Sequence, residues 1–293
     1  MFKVKVPATT ANMGPGYDVM GMALTLYNEF EVQEKAYGIE CIGFGDIPLE
    51  ENLIYTSMNR ALNMYGYKKD GLRIIAKEIN IPISRGLGSS AACIIGGIMI
   101  ANKLMDNILS KEDIIRIGTS IEGHPDNIVP AVTGGMTVSI YEEDEVIYSK
   151  VNVPKNLRFV VMIPKFTVST HEARKVVPES YSKNDCIFNI SRVAMLVASM
   201  NNGEIEKLRI ATEDKVHQPY RSKLIPNIDK IFKHARYLGS KSEVISGSGS
   251  TLMVMIDKEN IDFKEKMQGF LKNIQGSWQV RVLEVDTEGA KIL

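Results

Sequence analysis

Arg85-Gly86-Leu87-Gly88-Ser89-Ser90-Ala91-Ala92 places two glycines and two serines directly ahead of the longest apolar run in the chain, Ala91 to Ala101. Glycine lets backbone N–H groups approach an oxyanion without a Cβ in the way, and the first turn of a helix offers unsatisfied donors at the positive end of its dipole. Phosphate is the natural guest of such a stretch, although a tight turn before a core helix accounts for it equally well. Gly96 and Gly97 lie inside the expected helix. Each costs about 1 kcal/mol relative to alanine, so their presence predicts that another backbone packs closely there.

Two other phosphate motifs fit the stretch poorly. The chain contains no Gly-Lys-Ser/Thr, which a Walker loop requires. Gly86-x-Gly88-x-x-Ala91 matches a relaxed dinucleotide fingerprint, with Asp106 near the place of a ribose-binding acid. However, Ile81-Pro82-Ile83 stands where a central parallel strand is needed, and proline is awkward there. A hydrolase elbow also fails, because Gly88-Ser89-Ser90-Ala91-Ala92 lacks its closing glycine.

Further polar clusters flank this loop along the chain. Pro7-Ala8-Thr9-Thr10-Ala11-Asn12-Met13-Gly14-Pro15-Gly16-Tyr17-Asp18 follows a strand pattern and sets an amide and a carboxylate among small residues, which suits a polar ligand at a strand end. Glu122-Gly123-His124-Pro125-Asp126-Asn127 concentrates polar groups after an amphipathic helix; a helix end with a proline stop is the plain alternative. Ser169-Thr170-His171-Glu172-Ala173-Arg174 and Asp214-Lys215-Val216-His217-Gln218-Pro219-Tyr220-Arg221 each carry an arginine beside hydrogen-bonding neighbours. A guanidinium matches a carboxylate or phosphate through two parallel bonds, so Arg174 and Arg221 are candidate clamps, while isolated arginines are mostly solvated. Ser246-Gly247-Ser248-Gly249-Ser250-Thr251 reads as a tight turn entering a strand.

The 293 residues suggest two domains or one large one, at roughly 150 residues per domain. Apolar residues at 44% and charged residues at 24% describe an ordinary globular chain. The 35 basic residues balance 35 acidic ones, so the footprint of a nucleic-acid or anionic-membrane binder is missing and a small-molecule partner is favoured. Cys41, Cys93 and Cys186 are too few and too scattered for a disulfide framework or a closed zinc site. With no recognisable leader at Met1–Ala11, and no apolar run near the roughly 20 residues that cross a bilayer, a cytoplasmic location is expected.

Strands are expected at Phe2–Val6, Tyr27–Gln33, Met136–Tyr141, Arg158–Ile163, Thr251–Ile256 and Val280–Val285, and helices at 54–65, 89–105, 111–122, 187–202, 204–213 and 226–238. Ser110 and Asp113 predict a capping box, and Pro226 and Gly239 predict a first-turn proline and a terminal glycine. Strands and helices mix in both halves, giving an α+β (mixed α/β) class, and Glu142–Glu145 followed by Val153-Pro154-Lys155 marks a boundary between domains 1–150 and 151–293.

Taken in order, these motifs resemble those of the GHMP kinase superfamily, and the Glu-Gly-His-Pro-Asp-Asn and two arginine motifs resemble its homoserine kinase branch in particular. The resemblance runs from residue 7 to 251. Met13 and Tyr17 stand where leucine and phenylalanine are commoner, and Ser248 and Ser250 replace the more usual alanine and proline. The resemblance implies a ribosomal-S5-like N-terminal ATP-binding domain and a ferredoxin-like C-terminal domain. It further implies phosphorylation of the L-homoserine hydroxyl by ATP with Mg²⁺, giving O-phospho-L-homoserine in threonine biosynthesis, with no nucleic-acid or membrane partner and a homodimer as an allowed assembly. Carried over residue by residue, Pro82, Arg85, Gly86, Leu87, Gly88, Ser89, Ser90 and Ala91 would bind the nucleotide, Gly86 to Ser90 wrapping its triphosphate, and Asn52 to Ile54 would lie near the adenine. Ser90 and Glu122 would hold Mg²⁺. Asn12 and Asp18 would take the substrate ammonium, Arg174 and Arg221 its carboxylate, and His124 and Asn127 would place its hydroxyl, with Asp126 the one nearby acid. A kinase for another small hydroxylated acid, or a relative that binds ligand without catalysis, shares many of these features.

Overall fold

The computed structural model describes residues 1–293. Its first half runs β1 (Phe2–Ala11), β2 (Met20–Glu34), β3 (Gly38–Ile42), α1 (Leu53–Met64), β4 (Gly71–Ile79), α2 (Ser89–Leu104), α3 (Lys111–Glu122), α4 (Ile128–Thr133), β5 (Met136–Glu142) and β6 (Glu145–Val151). The second half continues β7 (Leu157–Ile163), α5 (Thr170–Lys175), α6 (Lys183–Asn202), α7 (Leu208–Ala211), α8 (Gln218–Arg221), α9 (Ile228–Tyr237), β8 (Ser242–Ile245), β9 (Leu252–Asp257), α10 (Phe263–Leu271), β10 (Gln279–Leu283) and β11 (Lys291–Ile292).

Seven strands form the first sheet, in the order β11-β1-β2-β4-β3, with β5 and β6 continuing from β2. At 15 residues β2 is long enough to carry two partners on one edge: Met20–Met22 pair with β5, and Asn28–Glu34 pair with β4. Helix α2 has no polar face and is buried along most of its length, as expected of a helix that is apolar all round. Its two internal glycines explain how it fits. A Cβ on Gly97 would stand 2.3 Å from the Ile54 carbonyl oxygen of α1, and one on Gly96 would stand 2.7 Å from the Phe30 ring.

The second sheet has the order β10-β7-β9-β8, all antiparallel. Its outer strands are the last and second of the domain and its inner pair the first and third, the βαββαβ arrangement of ferredoxin-like domains. Strand periodicity divides β7 between two cores. Phe159, Val161 and Ile163 join the large core shared with the first domain, whereas Val160 and Met162 pack with Ile231, Phe263 and Met267 of α9 and α10. One sheet thereby joins the two halves.

Several sequence expectations need correction. The last residues leave the second domain: Leu24 bridges to Val285, and β11 pairs with β1, so the chain end completes the first sheet. The strand expected at Val280–Val285 accordingly ends at Leu283. The 204–213 segment splits into a 3₁₀ turn and the four-residue α7. Pro226 precedes α9 without opening it; Asn227, at φ 62°, is the residue that starts the helix. The capping box of Ser110 and Asp113 forms as expected. No helix is long and apolar enough to cross a membrane.

Candidate active site

A cleft of about 610 Å³ opens between the halves, at the N-terminus of α2. It gathers residues from every polar motif of the sequence, among them Asp18, Gly88, Ser90, Glu122, Asn127, Arg174, Arg221 and Ser248.

The glycine loop forms one wall. Gly86 and Gly88 have φ of 70° and 69°, in the left-handed region, and Gly88 caps α2. Space is as restrictive as conformation: a Cβ on Gly86 would lie 2.0 Å from the Ser246 carbonyl oxygen, and one on Gly88 would lie 2.0 Å from Thr9 Oγ1. The serine-glycine turn packs against this loop, with Ser246 Oγ donating to Gly86 O at 2.6 Å and Thr251 N donating to Arg85 O at 3.2 Å. Gly86, Gly88, Ser89 and Ser90 line the cleft, whereas Pro82, Leu87 and Ala91 do not; Leu87 and Ala91 are core residues. Arg85 lines the opening, but its guanidinium donates to the main-chain carbonyls of Ile83, Pro164 and Lys165 at 2.8, 2.9 and 2.6 Å. Its positive charge straps the loop to the second domain.

Two features argue against the dinucleotide alternative. Asp106 sits beyond the far end of the 16-residue α2, about 25 Å from the loop at 1.5 Å per residue. In addition, α2 is followed by α3 with no parallel strand between them.

Across the helix terminus, Ser90 Oγ donates to Glu122 Oε2 at 2.7 Å. Glu122 reaches this position because α3 ends there, with Gly123 at φ 90° closing the helix. Beyond it lies a linked polar chain. Thr9 Oγ1 donates to Asn127 Oδ1 at 2.7 Å, Asn127 Nδ2 donates to Asp126 Oδ1 at 3.2 Å, and His124 Nδ1 donates to the same oxygen at 2.7 Å. Asp126 is only 2% exposed. Burial alone lowers the His124 pKa, but the hydrogen bond and charge of Asp126, with help from Glu122 and Asp18, raise it above its usual value.

The opposite wall is a charge cluster. Asp18 accepts from Arg174 through both carboxylate oxygens, each at 2.9 Å. Burial lowers the Arg174 pKa, and the bond and charge of Asp18 more than reverse this. Arg221 is a different case. Only 2% exposed, it donates from Nε to Ala173 O at 3.0 Å and from Nη1 to Gly247 O at 3.1 Å. Burial lowers its pKa. Behind it His217, fully buried, donates from Nε2 to Gly14 O at 2.8 Å and turns Nδ1 toward Arg221 at 3.4 Å. Burial holds this imidazole neutral, the state its hydrogen bonds require.

Asn12, expected with Asp18 at the substrate ammonium, lines the cleft and is also tied into its wall. Its side chain donates to Gly247 O at 2.8 Å and accepts from Asp18 N at 3.0 Å, which ties the first motif to the serine-glycine turn. Asn52 lines the cleft and caps α1 by accepting from Ile54 N, while its own Nδ2 is buried without a partner; Ile54 itself is core. This end of the cleft is completed by Phe44, Ile47, Ile79 and Ile83, which the sequence reading missed. Gly43 and Gly45, bracketing Phe44, were the available signal of a turn there. Cys93 also lines the cleft, and burial pushes its thiol up to about 11.

Fold and cleft together define a small-molecule kinase of the GHMP class. The family model "GHMP kinases N terminal domain" matches residues 52–135, and "GHMP kinases C terminal" matches residues 196–273. Homoserine kinase of Clostridium novyi (strain NT) is 55% identical over 100% of this chain and 99% of the relative, and that of Clostridium kluyveri is 52% identical over 99% and 98%. The crystal structure of homoserine kinase from Cytophaga hutchinsonii superposes with a TM-score of 0.89 at 27% identity, covering 100% of this chain and 97% of the other. The chain belongs to the homoserine kinase family of the GHMP kinases.

Proposed function

We propose that the chain transfers the γ-phosphoryl group of ATP to the side-chain hydroxyl of L-homoserine, giving O-phospho-L-homoserine and ADP. The observation that carries this reading is the junction of two dissimilar walls in one cleft: a glycine-lined helix N-terminus suited to phosphates faces the Asp18, Arg174 and Arg221 charge cluster suited to a zwitterion. The adenine would lie at the apolar end, between Phe44, Ile47, Asn52 and Ile83, with the triphosphate along residues 86–90. Asp18 would receive the ammonium, and Arg174 with Arg221 the carboxylate.

The donor set fits Mg²⁺. Ser90 and Glu122 offer one hydroxyl and one carboxylate within 2.7 Å of each other beside the phosphate loop, and Mg²⁺ is usually held by one or two carboxylates together with substrate phosphates. When bound, the ion would neutralise charge on the phosphoryl oxygens.

Phosphoryl transfer passes through a loose transition state that asks for in-line placement and charge neutralisation more than for covalent help. Asn127, fixed between Thr9 and Asp126, would orient the acceptor hydroxyl, and His124 would be held in place by the same carboxylate. Asp126 accepts from both His124 and Asn127 through Oδ1, which suits it to orienting the two side chains. The hydroxyl proton would leave late, toward a phosphoryl oxygen.

A coupled ADP-release assay against L-homoserine, mevalonate and L-threonine tests the reading. Turnover is expected with homoserine far above the other two. ATP binding by folded protein with no homoserine-dependent ADP release would replace this reading with that of a non-catalytic binder, and a preference for another acceptor would move the substrate assignment.

A further inference from the structure

Tyr17 belongs to neither wall as described, yet it touches both arginines. Its Oη accepts from Arg174 Nη1 at 3.3 Å and from Arg221 Nη2 at 3.4 Å. The ring stacks on His217, with centroids 5.3 Å apart and planes at 30°. It also lies beneath the Arg221 guanidinium, 4.9 Å from the centroid, and within 5.8 Å of that of Arg174.

Two cations converging on one anion site repel each other when the anion is absent. The Tyr17 oxygen offers each of them one lone pair, so it bridges them without adding charge. Asp18 restrains Arg174 more strongly, but on the proposed reading Asp18 also faces the substrate ammonium. A carboxylate shared with that ammonium holds Arg174 less firmly, and Tyr17 is then the remaining side chain that registers Arg174 against Arg221. Its neighbours equip it for the task. Burial first, and the Asp18 charge second, raise the phenol pKa, so the oxygen stays a neutral acceptor through the working pH range.

We infer that Tyr17 is a positioning residue for carboxylate recognition, its hydroxyl holding the Arg174 and Arg221 guanidiniums in convergent register. This rests on the reading of the cleft as a homoserine site. The phenol oxygen stands between the two guanidiniums and accepts one hydrogen bond from each.

The test is Tyr17→Phe, which keeps the ring, its stack on His217 and its face toward Arg221 while removing the bridge. The expected result is a homoserine KM raised about 5- to 10-fold, the size of one weak hydrogen bond to a charged group, with kcat and the KM for ATP within about 2-fold. A carboxylate-free amino alcohol should lose nothing further. In an Arg174→Lys background the same change should cost less than it does alone, since the hydroxyl acts through that guanidinium. An unchanged homoserine KM in a wild-type-active protein overturns the inference and leaves the kinase reading standing. So does a loss shared equally by homoserine, ATP and thermal stability, which would mark a purely structural tyrosine. A wild-type protein without homoserine turnover overturns both.

Discussion

Replacing Arg174 and Arg221 with lysine, one at a time, separates recognition from architecture, because the two guanidiniums spend their hydrogen bonds differently. Arg174 donates to two side chains, Asp18 of the cleft and Tyr17 beside it, and is 39% exposed. Lysine keeps the charge but supplies no planar pair of donors. One lost charge-assisted bond is worth about 1.5–3 kcal/mol, and the partial exposure favours the lower half of that range, so homoserine kcat/KM should fall about 10- to 45-fold in Arg174→Lys. Its melting temperature should move by no more than about 1–2 °C, the scale of a surface substitution. Arg221 instead binds the carbonyls of Ala173 and Gly247 in a dry setting. A lysine can satisfy one of them, and a carbonyl left unpaired costs about 1–3 kcal/mol, or about 2–5 °C of melting temperature in a chain of this size. Arg221→Lys should therefore lose stability as well as homoserine use. The assay pairs thermal melts with ADP release from homoserine and from a carboxylate-free amino alcohol. The analogue should be poor with wild type and lose little more on either mutation. Equal losses for both acceptors, or equal melting shifts for the two variants, would refute the division of roles.

Two further outcomes follow from the site. Glu122→Gln should cut kcat by about 10²-fold or more while ATP affinity changes only a few-fold, because loop N–H groups would provide most nucleotide binding whereas the carboxylate would hold the Mg²⁺ that neutralises negative charge growing during transfer; turnover within a few-fold of wild type at saturating Mg²⁺ would make Glu122 a helix-end residue only. His124, whose pKa is raised in the folded protein, contributes stability that is complete below the unfolded histidine pKa of about 6.5 and is lost as pH rises through the higher folded value. Wild type should then exceed His124→Gln in melting temperature by more at pH 6 than at pH 9, and a margin that widens with rising pH would contradict the pairing with Asp126.

Local signals in the sequence translated well where a short window contains the physics. The capping box at Ser110 needs only its own first turn, α2 needs only an apolar run behind two glycines, and the β-rich run at Arg158–Ile163 needs only its own length to form β7. Gly97 went further, since a glycine that weakens its own helix implied the close approach of a neighbour, which proved to be the backbone of α1. Short elements such as β3, β8 and α4 escaped because they contain too few residues for a period to show.

For the cleft, the sequence supplied the parts list: a glycine loop, a carboxylate at the end of α3, an amide beside an acid, and two arginines in separate motifs. Which of these face one another was decided by tertiary structure alone. Asp18 and Arg174 are 156 positions apart and Thr9 and Asn127 are 118 apart, distances over which a local pattern carries no information. Tertiary packing also separated residues that look alike in sequence: Arg85 turns its donors onto main-chain carbonyls, Arg221 divides its own between two carbonyls and the His217 and Tyr17 side chains, and Arg174 bonds side chains, those of Asp18 and Tyr17. The reason is the backbone's demand for partners. Where two domains meet, carbonyls left over from loops must find donors, and which long side chain serves them depends on the closeness of the packing around it and not on the residues beside it in the chain.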